Sequence, residues 1–325
     1  MSNLLMEAKS SINSWIRGGL CLAAALLFLF STSALSFADI NQALFLVVVS
    51  KEAKPYILCE EGVIEAIRQG WKGRYKISTI YLDQDEEEEL REEVEELRPT
   101  AAICIGTRAA FFMKEIGPSY PWVATFLLDK SIQRLNLKRL LAVSMDVPME
   151  KRMETLCRIK SHIRAGLLSH EKQTAVKRPF RAGSCMGKDA YLVIAPYRAS
   201  IEKALGNILK LAINSFFITP DPEIFNSQEA VTYTLLWGLR NKVAVCGLSS
   251  GYVKNRALFA LEADVKDLGE QAAELALDYL AGKIKEKMVV EHPRKFVLSL
   301  NLKTARRLGI KVPESVLETA RIVIR

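Results

Sequence analysis

An α/β fold of two lobes, each wrapped around a mainly parallel sheet and joined by a hinge, is what this sequence predicts. Three observations predict it. Short apolar runs bounded by turn residues recur along the chain, the pattern of strands buried on both faces. Amphipathic helical stretches separate them, and strand–helix alternation favours a doubly wound parallel sheet. The alternation also runs through twice, once up to about residue 146 and again beyond it, which suggests two similar lobes.

The pivotal stretch is Thr100 to Met113, TAAICIGTRAAFFM. Ala101 to Ile105 reads as a buried strand, Gly106-Thr107 as a tight turn, and Arg108 to Met113 as the start of a helix. Such a junction sets free backbone N–H groups and the positive end of a helix at the strand's carboxyl edge, where open α/β sheets bind ligands. Gly106 allows close backbone approach, and the Thr107 hydroxyl can donate to a carboxylate. A plain turn with Thr107 capping the helix is the competing reading.

Before the rhythm begins lies Met1 to Ala38. Lys9 and Arg17 make a positive start, Gly18 to Phe30 is an apolar run short for a membrane span, and Ser36-Phe37-Ala38 offers small residues at a cleavage site. The sequence therefore predicts an exported, periplasmic protein cleaved after Ala38.

The first series follows. Ala43 to Val49 is a strand, Ile57 to Gln69 a helix stopped by Gly70, and Tyr75 to Leu82 a strand. Asp85 to Leu97 is an acidic helix whose apolar face is Leu90, Val94 and Leu97; its Glu run reads as a solvated face rather than a metal site. The pivotal strand and helix come next, then strands at Trp122 to Leu128 and Leu140 to Asp146. Pro148 to Ile159 is a helix with proline in its first turn.

The second series opens with a strand at Ile163 to Ser169 and an irregular stretch, Lys172 to Lys188. Strands follow at Ala190 to Ala195, Ser215 to Thr219, Val243 to Cys246 and Leu258 to Ala263, with helices at Ser200 to Leu211 and Ser227 to Arg240. Gly247 to Gly251 reads as a flexible junction. A long helix, Asp267 to Ala281, is closed by Gly282. Phe296 to Leu300 is a strand, and Leu302 to Leu308 and Glu314 to Ala320 are short helices. This gives a leader (1–38), a first-lobe part (39–146), a second lobe (147–246), a return to the first lobe (247–290) and a hinge-crossing end (291–325), with hinges near Met145 and Gly247. A cleft between two such lobes is a common place for a ligand.

Composition narrows the function. The chain has 325 residues, half hydrophobic and a quarter charged, which is ordinary globular composition. The formal charge of +8 is scattered, so no nucleic-acid partner is expected. Three His residues in unrelated contexts form no metal-ligand spacing. No Gly-x-Gly-x-x-Gly follows the first strand and no phosphate-binding lysine loop occurs, so no cofactor is expected. Six Cys occur. Cys21 falls in the leader, and Cys59, Cys104, Cys157, Cys185 and Cys246, odd in number and widely spaced, do not read as a disulfide framework. Four of them read as buried small hydrophobes, and Cys185, in a glycine-rich loop, as the reactive candidate. No Gly-x-Ser-x-Gly or nucleophile–histidine arrangement points to an enzyme.

The C-terminus is more specific. FVLSLNLKTARRLGIKVPESVLETARIVIR, Phe296 to Arg325, resembles the closing signature of ABC-transporter substrate-binding proteins related to tryptophan- and tyrosine-type amino-acid binders. The matched positions are Asn301 to Ala305, Leu308-Gly309, Ile310, Pro313, Leu317 and Ala320. Leu268-Gly269, Leu280 to Lys283 and Ile105 to Ala110 are similar to the family as well. The chain departs where Lys130 follows Asp129, a place where the family has Asp-Pro, and at Arg256-Ala257, where it has Gly-Ala.

The resemblance implies a type I periplasmic-binding fold, two Rossmann-like lobes joined by three crossovers. It implies a monomeric receptor that captures a small molecule, an amino acid or similar carboxylate, and hands it to an ABC permease in the inner membrane. By the same resemblance Gly106 and Thr107 would hold a ligand carboxylate and Asp221 a ligand ammonium, which suits the chemistry of a zwitterion. Asp221 between two prolines also fits a simple turn. Ser50 and Ser249 are candidate polar contacts, and Phe126 and Tyr197 candidate wall residues, although core packing is the commoner role for a strand-end aromatic. A periplasmic sensory or adaptor protein that uses the same fold is the alternative function. A DNA-binding regulator is disfavoured by a leader where a DNA-binding helix pair would stand.

Overall fold

The computed structural model describes residues 42–84, 86–171, 174–181 and 183–325. The leader and its cleavage site lie outside the described residues. The first lobe carries a six-stranded, wholly parallel sheet in the order β2-β1-β3-β4-β5-β12. Its strands are β1 (Ala43–Val49), β2 (Tyr75–Tyr81), β3 (Ala101–Ile105), β4 (Trp122–Leu127), β5 (Leu140–Ser144) and β12 (Met288–Glu291). β1, β3 and β5 are almost wholly buried, as their unbroken apolar runs require. Helices α1 (Lys54–Gly70) and α9 (Val265–Leu280) pack on one face. Helices α2 (Glu87–Leu97), α3 (Thr107–Ile116) and α4 (Asp129–Leu135) cover the other.

The second lobe repeats the plan. Its eight-stranded sheet runs β14-β13-β11-β10-β9-β6-β8-β7. The parallel part joins β6 (Ile163–Ser169), β8 (Ala190–Pro196), β9 (Ser215–Phe217), β10 (Ala244–Gly247) and β11 (Phe259–Ala263). β7 (Val176–Pro179) and β13 (Phe296–Asn301) pair antiparallel to it, and β14 (Ala320–Ile324) lies parallel to β13. The remaining helices are α5 (Met149–Ile159), α6 (Ile201–Leu209), α7 (Gln228–Arg240), α8 (Ser250–Lys254), α10 (Leu302–Arg307) and α11 (Glu314–Leu317). In both lobes the first strand lies between the second and third of the parallel strands, so the winding direction reverses beside it. The reversals lie between β1 and β3 and between β6 and β9.

The chain crosses between lobes three times: after β5, after β11 and after β12. The hinge expected at Gly247 is corrected by this topology. Gly247 ends β10, Gly247 to Gly251 leads into α8, and β11 continues the same sheet. The second crossing falls instead at Asp264, whose carboxylate caps α9 by accepting the Asp267 N–H at 3.3 Å. The crossings are stitched together. The Asp264 N–H donates to Lys295 O at 3.0 Å. Buried Asp267 takes Arg294 Nε at 3.0 Å and Lys295 Nζ at 2.7 Å.

Other differences are local. The irregular stretch contains edge strand β7 and a 3-10 turn at Gly183–Cys185. The expectation that the cysteines are unpaired and Cys185 reactive is also corrected. Cys185 forms a disulfide with Cys157, tying that turn to α5, while Cys59, Cys104 and Cys246 are buried thiols.

Candidate functional site

Between the lobes, beside the crossings, lies a cleft of about 580 Å³. Four segments bring most of its lining together, and Pro55 of α1, Arg152 of α5, the end of β11 and the start of α9 complete it. The end of β4 gives Phe126 and Leu128, and the first crossing gives Met145, Asp146 and Val147. The loop after β9 gives Thr219 to Pro222 and Phe225, and the turn after β10 gives Leu248, Ser249 and Tyr252. Both lobes thus meet at the carboxyl ends of their strands.

Phe126 reaches the cleft through a local irregularity. The β4–β5 register shifts between Thr125 and Leu127, and Phe126 has φ of 61°. A bulge of this kind re-aims one side chain, and positive φ in a phenylalanine is backbone strain held by its surroundings. The ring packs edge-on against Tyr56 at 5.0 Å.

Arg152 lines the cleft from α5 and is 4 % exposed. Its Nη2 donates to Ile218 O at 2.8 Å and Gly247 O at 3.3 Å, and the guanidinium lies 4.9 Å from the Phe217 ring centre. Burial pulls this group down to about 10, so it stays charged at neutral pH. Asp146 is raised from the usual carboxylate range by burial, which outweighs the Asp129 N–H donated to Oδ2 at 2.7 Å. Glu262 is likewise raised by burial, and its Oε2 accepts the Ser250 N–H at 2.7 Å. Thr219 Oγ1 is buried without a hydrogen-bond partner.

Of the residues singled out in the sequence, Phe126, Asp221 and Ser249 line this cleft together. Asp221 Oδ1 accepts the Glu223 N–H at 3.0 Å, and Oδ2 lies 2.9 Å from Lys130 Nζ of the opposite lobe. Ser249 sits at the start of α8, where its carbonyl accepts the Tyr252 N–H.

Ser50, Gly106 and Thr107 stand outside the lining. Ser50 is buried, and its Oγ accepts the Ala109 N–H at 3.0 Å, so it caps α3 from the neighbouring loop. Gly106 has φ of 94°, and a Cβ there would come within 2.6 Å of both Ser50 Oγ and the Tyr56 ring. Glycine is needed at this turn on both counts. Thr107 is exposed at the first turn of α3. Tyr197 lies elsewhere, edge-on to His170 at 4.9 Å, beside a separate depression with Ser200 and Tyr233.

Arg152, Thr219, Asp146, Phe225 and Tyr252 were not singled out by the sequence pattern. A signal for Arg152 exists: it stands at helical spacing with Leu156 and Ile159, a charge on the buried face of α5.

The family described as "ABC transporter substrate binding protein" has a model that matches residues 191–324. The segment from 191 to 324 is therefore similar to the ABC transporter substrate-binding protein family. The description is that of a family of binding proteins. The matched segment covers most of the second lobe together with α9 and β12. No curated protein sequence matches the chain.

Solved structures share the fold. A ligand-free, open substrate-binding protein with adhesive properties from Clostridium difficile is 15% identical, with a TM-score of 0.63 over 87% of this chain and 99% of its own. An ABC domain in complex with L-Trp from Streptococcus pneumonia is 17% identical, with a TM-score of 0.50 over 87% of this chain and 100% of its own. A conserved domain protein from Vibrio cholerae is 18% identical, with a TM-score of 0.51 over 86% and 99%. At these identities the likeness concerns the fold, two α/β lobes of the type I periplasmic-binding kind.

Proposed function

We propose that this substrate-binding protein is exported, works as a monomer in the periplasm, and captures an amino acid or similar carboxylate for delivery to an ABC permease. The observation that carries the reading is the interlobe cleft. The carboxyl ends of strands from both lobes meet at it, its walls are mostly apolar, and a few polar groups converge there. Nothing in this scheme is catalysed. A ligand that touches both lobes favours the closed arrangement by its extra contacts there, and three adjacent crossings suit closure of the lobes as rigid bodies. Phe126 of the first lobe and Asp221 and Ser249 of the second are ligand-binding residues in this reading.

The test is a thermal-shift screen of the purified protein against amino acids, carboxylic acids, sugars, small peptides and purines. A compound that binds only the folded protein stabilises it by about 2.7 kcal/mol at a hundredfold excess over its dissociation constant. One chemical class raising the melting temperature, with the shift lost in Phe225→Ala, supports the reading. A flat response to every class sinks it and favours the sensory or adaptor alternative, for which a membrane partner would be sought.

A further inference from the structure

The charges of the cleft are arranged unequally. Arg152 is the one basic residue of its lining, and it is more than nine-tenths buried. Two backbone carbonyls take one of its terminal nitrogens, and among the described residues no carboxylate forms an ion pair with it. A buried cation whose direct partners are backbone dipoles, with the Asp146 charge acting on it only from beyond ion-pair distance, is costly, and an anion placed against it gains charge-assisted hydrogen bonds. Thr219 lines the same cleft with a buried hydroxyl that has no partner, a donor available to an anion.

The acidic groups are already engaged by the chain. Asp146 and Glu262 each accept a backbone N–H. Asp221 is held on both oxygens, by the Glu223 N–H and by the Lys130 ammonium reaching across from α4. The carboxylate on which a ligand ammonium would sit therefore has an ammonium supplied from within. The rest of the wall is apolar, with rings at Phe126, Phe225 and Tyr252.

We infer that the cleft takes an aromatic monocarboxylate lacking an ammonium group, its carboxylate bound by Arg152 and Thr219 while Lys130 occupies Asp221. The inference rests on the receptor reading above and selects one ligand class within it. An amino acid entering the same site brings a second cation beside Lys130, and that repulsion works against it.

Calorimetric titration with 3-phenylpropionate, L-phenylalanine and 3-phenylpropionamide tests this. The acid should bind at least about tenfold more tightly than the neutral amide, because only the acid makes charge-assisted bonds to Arg152. It should also bind more tightly than L-phenylalanine. Lys130→Ala, a change at a half-exposed side chain, should narrow the gap to L-phenylalanine by about threefold or more, the scale of a partly exposed ion pair. Arg152→Gln should erase the acid-to-amide preference; if that variant does not fold, the three ligands and Lys130→Ala still decide. L-Phenylalanine binding more tightly than the acid, or the amide matching it, overturns the inference. So does silence with all three probes, and a hit for another class in the wider screen would then leave the receptor reading standing.

Discussion

Replacing Gly269 by alanine should destabilise the protein, although alanine is the better helix former. Gly269 lies in α9 where that helix crosses α1, and a Cβ there would meet Cys59 O at 1.9 Å and Val63 N at 3.0 Å. The contact is reciprocal, since a Cβ at Gly62 would meet Lys266 O at 2.0 Å. These partners are backbone atoms, which cannot rotate away as a side chain can. To restore an ordinary contact the helices must part by about 1 Å, against a core that includes Val63, Ile67, Leu268 and Ala272. Overpacking of this kind costs about 3 kcal/mol, and the helix propensity gained is about 1 kcal/mol. The net loss of about 2 kcal/mol corresponds to about 4–8 °C in melting temperature for a domain of this size. α9 also supplies Val265 and Leu268 to the cleft, so ligand affinity should fall with stability. Calorimetric unfolding and ligand titration of Gly269→Ala check both. A variant as stable as the wild type, or more so, would show that the close helix crossing is not a constraint and refute the reasoning.

Three further outcomes are expected. Removing the Cys157–Cys185 bond by a double change to serine should cost about 3–4 kcal/mol, the loop-closure entropy for a separation of 28 residues, and reductant should do the same to the wild type; an unchanged melting temperature in reductant speaks against the bond. Glu262→Gln should raise stability at pH 7. Burial lifts the folded-state pKa of Glu262 above its unfolded value of about 4.3, so its favourable contribution is whole below that value and is lost as pH rises through the folded one. The advantage of the variant in denaturant titration should shrink towards pH 4, and an advantage that grows there reverses the sign. Thr107→Ala should leave ligand affinity within about twofold, since Thr107 is exposed and outside the cleft lining; a tenfold loss by calorimetry would restore this turn to the binding site.

How far the fold could be read from the sequence depended on burial. Ala43–Val49, Ala101–Ile105 and Ile163–Ser169 fall where their apolar runs put them, because a strand buried on both faces has few alternatives. The edges were not legible. β12 leaves Met288 and Val290 exposed, β7 is mostly exposed and ends in proline, and β14 begins where a helix had been expected. These strands are fixed by the neighbour they pair with, which no local pattern records. The hinge failed for the same reason. Gly-Leu-Ser-Ser-Gly is locally flexible, but the lobe in which a strand sits is decided by its sheet partner, and the true crossing at Asp264 bears a helix cap. The disulfide was hidden by an odd cysteine count and by partners on separate elements.

The candidate site shows the same division between local and non-local information. The turn at Gly106 has the form of an anion cradle, but its first-lobe neighbours fill it. Ser50 takes one of its helix N–H groups, and the Tyr56 ring packs against the glycine. In the second lobe the corresponding reversal is left open. There Thr219 keeps an unused hydroxyl, Asp221 faces the opposite lobe, and Arg152 sits across the ends of β9 and β10 with no ion-paired carboxylate among the described residues. Two lobes of like topology have therefore divided their roles: the first presents an apolar wall through the strained backbone of Phe126, and the second presents the polar groups. Lys130 is the exception, a first-lobe charge that spans the cleft, and it stands where the sequence departs from the Asp-Pro of the family it resembles. On the proposed receptor reading, a lysine in that place would both link the lobes and fill a carboxylate, coupling closure of the cleft to the charge of what it admits.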